Sequence, residues 1–235
     1  MSRVDRAMIL AAGLGLRMRP LTNDKPKALV TLQNKTLLDR AMEKCRAAGA
    51  ASLIVNTHYK SDMIIRHVRA MRDVAISEET ELLETGGGVA KALPMLGARP
   101  FFVVNCDSVW SDAATPALLR LAQHWRETEM DALLLLYSTT RAVGYDGSGD
   151  FALDHDGRVK RPVKGSNAPL VFMGVQMLHP RLFEGYAIEQ FSLNRLYDRA
   201  LKARRLFGLV HDGRWFHVGT PEDLASAEHQ MVTGI

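Results

Sequence analysis

Residues 7–30, AMILAAGLGLRMRPLTNDKPKALV, constrain this chain more than any other stretch. The apolar run Met8-Ile9-Leu10-Ala11-Ala12 suits a strand covered on both faces. It breaks into Gly13-Leu14-Gly15-Leu16-Arg17, where glycines allow a sharp turn and bring several backbone N–H groups close to an anion. Arg17 adds a planar charge, and Lys27 adds a second cation ten residues later. A dinucleotide fingerprint needs a third glycine where Met18 stands, and Pro20 falls in the helix that should follow. A Walker A loop needs Gly-Lys-Ser/Thr, which is absent here. Strand, glycine loop and spaced cations together read as a polyphosphate cradle. The glycines alone leave open a turn with no chemical role.

The rest of the composition narrows the setting. A chain of 235 residues, 47% hydrophobic, suits one large domain or two small ones with a filled core. The net charge of +4 fits a small anionic substrate. No lysine/arginine run interleaves with aromatics, so a nucleic-acid partner is not expected. The two cysteines, Cys45 and Cys106, form no Cys-x-x-Cys pair and lie in apolar segments, which predicts buried thiols in a reducing compartment. Arg3 and Arg6 before an apolar run imitate a signal peptide, but Asp5, the glycines and Arg17 spoil the match. No run is long enough to span a membrane, and the expected location is the cytoplasm.

Along the chain, strands alternate with helices. Thr36 is expected to cap a helix over residues 36–48, stopped by Gly49, and residues 52–56 read as a strand. Ser61 is expected to cap a helix carrying Ile64, Ile65, Val68 and Met71, before a short strand over 74–77. Residues 86–96 look helical despite their glycines, and 101–105 form a strand that ends in Asn105-Cys106-Asp107. A helix over 115–127, a strand over 131–137 and a polar loop over 139–150 follow. Short strand-like pieces over 151–178 suggest an antiparallel extension over the site. Ser192 is expected to cap a helix to residue 203, and Thr220-Pro221 starts the last helix. The pattern predicts an α/β fold: a Rossmann-like, mostly parallel sheet flanked by helices, with a small antiparallel lobe. Such sheets bind ligands at the carboxyl ends of their strands, where the Gly13 loop and Asp107 both fall.

Leu10-Ala11-Ala12-Gly13-x-Gly15-x-Arg17-Met18-x-Pro20-Leu21-Thr22, followed by Lys25-Pro26-Lys27-Ala28-Leu29, resembles the signature of sugar-1-phosphate nucleotidyltransferases. The resemblance implies a reaction between a nucleoside triphosphate and a sugar 1-phosphate that releases pyrophosphate. It implies that Leu10, Ala11, Ala12 and Gly13 read the base, and that Gly15 and Arg17 hold the outer phosphates. Lys27 would bridge the α-phosphate and the attacking group, which makes Arg17, Lys27 and Asp107 the catalytic set. In Leu82-Leu83-Glu84-Thr85-Gly86-Gly87-Gly88, similar to the segment that closes over the nucleobase, Glu84 and Gly86 would touch the nucleotide. That string, with Ser148-Gly149-Asp150-Phe151, Phe172-Met173-Gly174-Val175 and Leu178-His179-Pro180, looks most like the N-acetylmuramate-1-phosphate uridylyltransferase subgroup. Asn105, Gly149, Asp150, Arg161 and Gly174 would then face the sugar phosphate. The family expectation is a single domain over 1–235, without the acyltransferase domain that some relatives append.

Two departures bear on chemistry. The family's strand-ending Asn-x-Asp holds Mg²⁺, which assigns Asp107 as a metal ligand; Cys106 replaces the usual small middle residue. Near the end, Trp215-Phe216-His217-Val218-Gly219-Thr220 fits the frame Trp-x-Asp-x-Gly-Thr, but His217 stands where a second metal-binding aspartate belongs. An imidazole suits Mn²⁺, Co²⁺ or Zn²⁺ better than Mg²⁺. His217 is therefore read as a ligand for a softer metal, as a cation on a phosphate, or as a bystander while Asp107 holds Mg²⁺ with the nucleotide. Lys160-Arg161-Pro162 replaces the common Glu-Lys-Pro; Arg161 can clamp a phosphate bidentately, while an exposed basic face of Lys160, Arg161 and Lys164 is the alternative. His58, His67, His124, His155, His179, His211 and His229 show no ligand spacing. Mg²⁺, with Mn²⁺ as alternative, is the expected cofactor. UTP and N-acetylmuramate 1-phosphate are the expected substrates. Guanylyl transfer to mannose or heptose 1-phosphate, cytidylyl transfer to choline phosphate, a non-catalytic nucleotide-binding module and, last, a nicotinamide dehydrogenase are the competing readings. Oligomeric state is not legible.

Overall fold

The computed structural model describes residues 4–142, 145–163 and 165–233, so Lys164 and Arg3 lie outside the described residues. Seven strands form the central sheet: β1 (Arg6–Leu10), β2 (Ser52–Thr57), β3 (Val74–Glu78), β4 (Phe101–Asn105), β5 (Ala132–Ser138), β6 (Leu170–Leu178) and β7 (Leu206–Val210). Their order is β7-β5-β6-β4-β1-β2-β3. Only β6 runs against the others, pairing antiparallel with both β4 and β5. The expected antiparallel pieces are thus divided. The long one is inside the main sheet, and a small hairpin of Ala152–Leu153 with Val159–Lys160 rests on β7 through a Gly208 N–H to Gly157 carbonyl bond of 3.0 Å.

Helices α1 (Leu37–Ala47), α2 (Ser61–Val68), α3 (Glu84–Leu96), α4 (Ala117–His124), α5 (Asn194–Lys202) and α6 (Pro221–Thr233) cover the sheet and its rim. Successive residues of a strand point to opposite faces, and both faces are dry. Ala7, Ile9, Phe102 and Val104 pack with Leu38, Met42 and Cys45 of α1 and with Leu118 and Leu121 of α4. Met8, Phe101 and Val103 pack with Val89 and Ala92 of α3 and with Leu196 and Ala200 of α5. The Val, Leu, Ile, Phe and Met side chains among them each contribute about 1.5–3 kcal/mol when fully buried, so strand and helix faces select each other. A third cluster of Met18, Leu37, Val109, Phe216 and Leu224 pins the glycine loop against α6 and the hairpin of Ser108–Ser111 with Arg214–His217.

Local signals explain most helix limits and correct others. Thr36 Oγ1 accepts from the Asp39 N–H at 3.0 Å, and Gly49 leaves α1 with φ +91°, as the caps predict. Ser61 is the first residue of α2 and not its cap. Lys60, at φ 50°, takes that place, while Ser61 Oγ bonds Thr57 Oγ1 and Glu78. The helix ends at Val68, so Met71 packs from the following turn. α4 is shorter than expected because Pro116 precedes it and Trp125 is extended. Ser192 sits one residue before the cap of α5, where its Oγ accepts from the Asn194 N–H at 3.2 Å. No helix among the described residues is long and apolar enough to cross a membrane.

Cys45 and Cys106 are both buried and free, and burial pushes each thiol up to about 12. Native protein at pH 8 is expected to give no fast reaction with a thiol-specific disulfide reagent, and both thiols should appear in guanidinium. A rapid stoichiometric reaction of the native protein would contradict this packing.

Candidate active site

Parallel register brings the carboxyl ends of three strands level. Leu10 of β1 lies beside Asn56 of β2 and beside Asn105 of β4. Just beyond them the chain turns into the glycine loop, with Gly15 at φ +65°. A Cβ at Gly15 would sit 3.1 Å from Thr22 Cγ2 and 3.2 Å from Lys27 Cβ, so this turn needs glycine on both conformation and space. Thr22 Oγ1 closes the turn by donating to the Gly15 carbonyl at 2.8 Å. The close carries Lys27 across to Asp107, where Nζ meets Oδ2 at 2.5 Å. Cation and carboxylate, 80 residues apart in sequence, thus form one pair at the rim.

Two compartments meet at this pair, and a third adjoins the first. The first, about 360 Å³, is lined by Leu10, Ala11, Ala12, Gly13, Gly15, Lys27, Asn56, Leu82, Glu84, Thr85, Asn105, Cys106, Asp107 and Ser192. A second, wider one of about 460 Å³ runs out along Gly13 to Met18, with Lys27, Leu82, Asp107 and Gly219 on its walls. A third of about 190 Å³ lies beyond Asn105, Thr85 and Ser192, which it shares with the first. Its other walls include Asp150, Phe151, Phe172, Gln176, Asn194 and Tyr197.

Most of the candidate residues gather here, but not all line a compartment. Gly86 is buried beneath the site: its N–H donates to the Phe191 carbonyl at 2.8 Å, and a Cβ there would lie 2.3 Å from the Phe191 ring. Gly86 and Gly87 serve close packing against the 189–191 segment and Gly88 against Glu79 and Asn56, while Glu84 and Thr85 line the first compartment instead. Gly149, at φ +78°, is pressed against the Ala168 carbonyl, and Gly174, at φ +75°, against Asn105 Nδ2 and Ser108 Oγ. Both shape the third compartment without lining it. Asp150 lines it, held by the Phe172 N–H at 2.8 Å. Arg161 stays at its edge, over the Phe151 ring, with Nε on Asp198 at 2.9 Å and Nη2 on Asn194 at 3.0 Å.

His217 faces Arg17 and Asp223 around Gly219. A Cβ at Gly219 would stand 2.8 Å from His217 Nε2, 3.1 Å from Asp223 Oδ2 and 3.4 Å from Arg17 Nη1. Burial lowers the His217 pKa, and Asp223 and Asp107 only partly oppose it; Arg17 and Lys27 lower it further. This favours the neutral imidazole, the form able to ligate a metal ion, while a phosphate anion beside the ring would oppose the shift. Asp223, in the first turn of α6, reaches back to accept from the Gly219 and Thr220 N–H groups at 3.0 and 2.9 Å, while Thr220 Oγ1 accepts from the Asp223 N–H at 3.2 Å. Among the described residues no cluster of three or more His, Cys, Asp or Glu side chains could hold a metal ion.

Sequence reasoning missed a buried relay beneath the loop. The Ala11 N–H donates to Asn56 Oδ1 at 2.8 Å, and Asn56 Nδ2 donates to Glu79 Oε1 at 2.7 Å. Glu79 Oε2 in turn accepts the Leu83 N–H at 2.9 Å. Asn56, polar at the end of an apolar strand like Asn105, was the one available signal.

Comparison with known proteins decides the family. A family model described as nucleotidyl transferase matches residues 6–233. The chain belongs to the nucleotidyl transferase family. This nucleotidyl transferase is 41% identical over 233 residues to the N-acetylmuramate alpha-1-phosphate uridylyltransferase of Caulobacter vibrioides, covering 96% of each chain. It is 35% identical to the protein of the same description in Neisseria meningitidis serogroup B, covering 95% of this chain and 96% of that one. The sugar-1-phosphate nucleotidyltransferase resemblance is therefore correct. Among solved structures, a UDP-glucose pyrophosphorylase complexed with UDP-glucose superposes with TM-score 0.80 at 16% identity, covering 99% of this chain and 100% of that one. The inositol-1-phosphate CTP transferase from T. maritima does so with TM-score 0.75 at 19% identity, covering 98% and 96%. These two share the fold.

Proposed function

We propose that this nucleotidyl transferase joins UTP to N-acetylmuramate 1-phosphate and releases pyrophosphate. The observation that carries the reading is a three-compartment trough in which Lys27 and Asp107 line the first and second compartments and the third adjoins the first at Thr85, Asn105 and Ser192. Its substrates are taken from the two uridylyltransferase relatives. The first compartment takes base and ribose, the second the outer phosphates and the third the sugar. Because the Ala11 N–H is committed to Asn56 and the Leu10 carbonyl to the Cys106 N–H, reading of the base edge falls to Ala12 and Gly13. Gly13 permits close approach, since a Cβ there would meet no protein atom within 4 Å.

Arg17 and the loop N–H groups hold the outer phosphates. Arriving phosphate oxygens draw Lys27 from Asp107 to a position between the α-phosphate and the sugar phosphate. A sugar-phosphate oxygen then attacks the α-phosphorus in line, and the bond to the β-phosphate oxygen breaks. Lys27 stabilises charge on the reacting phosphates, and no covalent enzyme intermediate is needed. The donor set fits Mg²⁺: Asp107, with a third of its side chain exposed beside the phosphate compartment, offers the single carboxylate that this ion commonly takes with phosphate oxygens and water. When bound, Mg²⁺ (or Mn²⁺) supplies charge neutralisation on the phosphates. Asp107 is the ligand on which this reading rests; His217 would add an imidazole only to a softer ion such as Mn²⁺.

Pyrophosphate release across four nucleoside triphosphates and a panel of sugar 1-phosphates, with Mg²⁺ and Mn²⁺ in parallel, tests the proposal. UTP with N-acetylmuramate 1-phosphate should give the highest kcat/KM. A higher value for GTP with mannose 1-phosphate would replace both substrates while keeping the mechanism. Nucleotide binding without turnover in the whole matrix would mean a binding module.

A further inference from the structure

We propose that Gln176 and Tyr197 form a specificity pocket that recognises a neutral carbonyl on the sugar, its acetamido group. The inference rests on the reading that the third compartment takes the sugar. Gln176 lies in the middle of the sheet on β6 and is fully buried, yet it lines that compartment. Tyr197 of α5, also buried, donates its hydroxyl to Gln176 Oε1 at 2.7 Å. That bond fixes the amide and leaves Gln176 Nε2 with no hydrogen-bond partner among the described residues. A buried amide N–H without an acceptor is costly, and its presence in a cavity wall calls for an oxygen brought by the ligand. Burial keeps the Tyr197 phenol protonated, so it remains a donor and Oε1 remains occupied.

Backbone geometry places the donor. β6 carries a bulge between Phe172 and Gln176, which face Leu136 and Leu134, only two residues apart on β5. The bulge draws the Phe172 ring and the Gln176 amide together in one wall, and the Phe172 ring meets Tyr197 edge-on with centroids 5.9 Å apart. An N–H donor beside aromatic faces suits an acetamido group, whose oxygen takes the hydrogen bond and whose methyl takes the apolar contact. A carboxylate suits it poorly. Asp150 lines the same wall, and Arg161, the neighbouring cation, is already held by Asp198 and Asn194.

The test measures kcat/KM of wild type, Gln176→Met and Tyr197→Phe on N-acetylmuramate 1-phosphate, N-acetylglucosamine 1-phosphate and glucose 1-phosphate, with the nucleotide the wild type uses. Methionine keeps the volume and removes the donor. Gln176→Met should lose about 10- to 100-fold on both N-acetylated sugars, mostly in KM, and less than about 3-fold on glucose 1-phosphate. Tyr197→Phe, which frees the amide to turn, should show the same substrate pattern with a smaller loss, and it serves alone if the methionine variant does not fold. Equal loss on all three sugars, loss on N-acetylmuramate 1-phosphate alone, or no loss overturns the acetamido assignment. Wild type that favours glucose 1-phosphate overturns the substrate reading as well. Wild type that favours N-acetylated sugars with no effect at Gln176 overturns only the role of the pair.

Discussion

Lys27→Ala is expected to lower kcat about a hundred- to a thousandfold while leaving the melting temperature within a few degrees of wild type. The size follows from the role proposed for Lys27: removing one preorganised charge from a group that gains negative charge in the transition state costs about 3–4 kcal/mol. The fold should survive because the Lys27–Asp107 pair sits on the rim, partly exposed at 13% and 34%, while the cores lie on either side of the sheet. Asp107→Asn should cause a loss of similar size and also flatten the dependence of rate on Mg²⁺ concentration. The two side chains touch, so their effects should not add. The double variant should be at most about tenfold slower than the worse single variant. Pyrophosphate release and single-turnover rates give these numbers. Near-wild-type turnover in either variant, or losses that multiply cleanly, would remove the pair from the mechanism.

What could be read in the sequence divides along a physical line. Parallel strands covered on both faces are continuous apolar runs, so β1, β2, β4 and β5 stand out, and the loop after β1 carries its own conformational demand in Gly15. β6 stands out as a strand, but an apolar run gives no direction, and neither its place between β4 and β5 nor its bulge is written locally. Gly86 misled for a related reason. A glycine needed for close approach of a ligand and one needed for close approach of Phe191 look alike until the partner is known. Lys27 and Asp107 were legible through family likeness. Their contact, like the unpartnered Gln176 amide, exists only once distant segments meet.

The relay through Glu79 is where fold and site are most tightly joined, and its loss should be felt in both. Glu79 is 3% exposed and accepts from Asn56 and Leu83 at once. Glu79→Gln keeps the shape but turns one acceptor into a donor that faces another N–H. A cost of about 1–3 kcal/mol follows, and Glu79→Ala, which strands two buried donors, should cost more. At about 2–4 °C per kcal/mol for a chain of this size, the glutamine variant should melt several degrees lower. The second effect is catalytic. Asn56 can hold the Ala11 N–H only while its own amide is held by Glu79, so loosening one end frees the turn proposed to read the base. KM for the nucleotide should rise about tenfold, equivalent to about 1.4 kcal/mol, with kcat and the KM for the sugar phosphate changed much less. Urea unfolding together with initial rates at saturating sugar phosphate separates the two effects. A variant that is destabilised but keeps its nucleotide KM would make the relay a matter of stability alone. An unchanged melting temperature would mean that water or a shifted Asn56 amide replaces the lost acceptor.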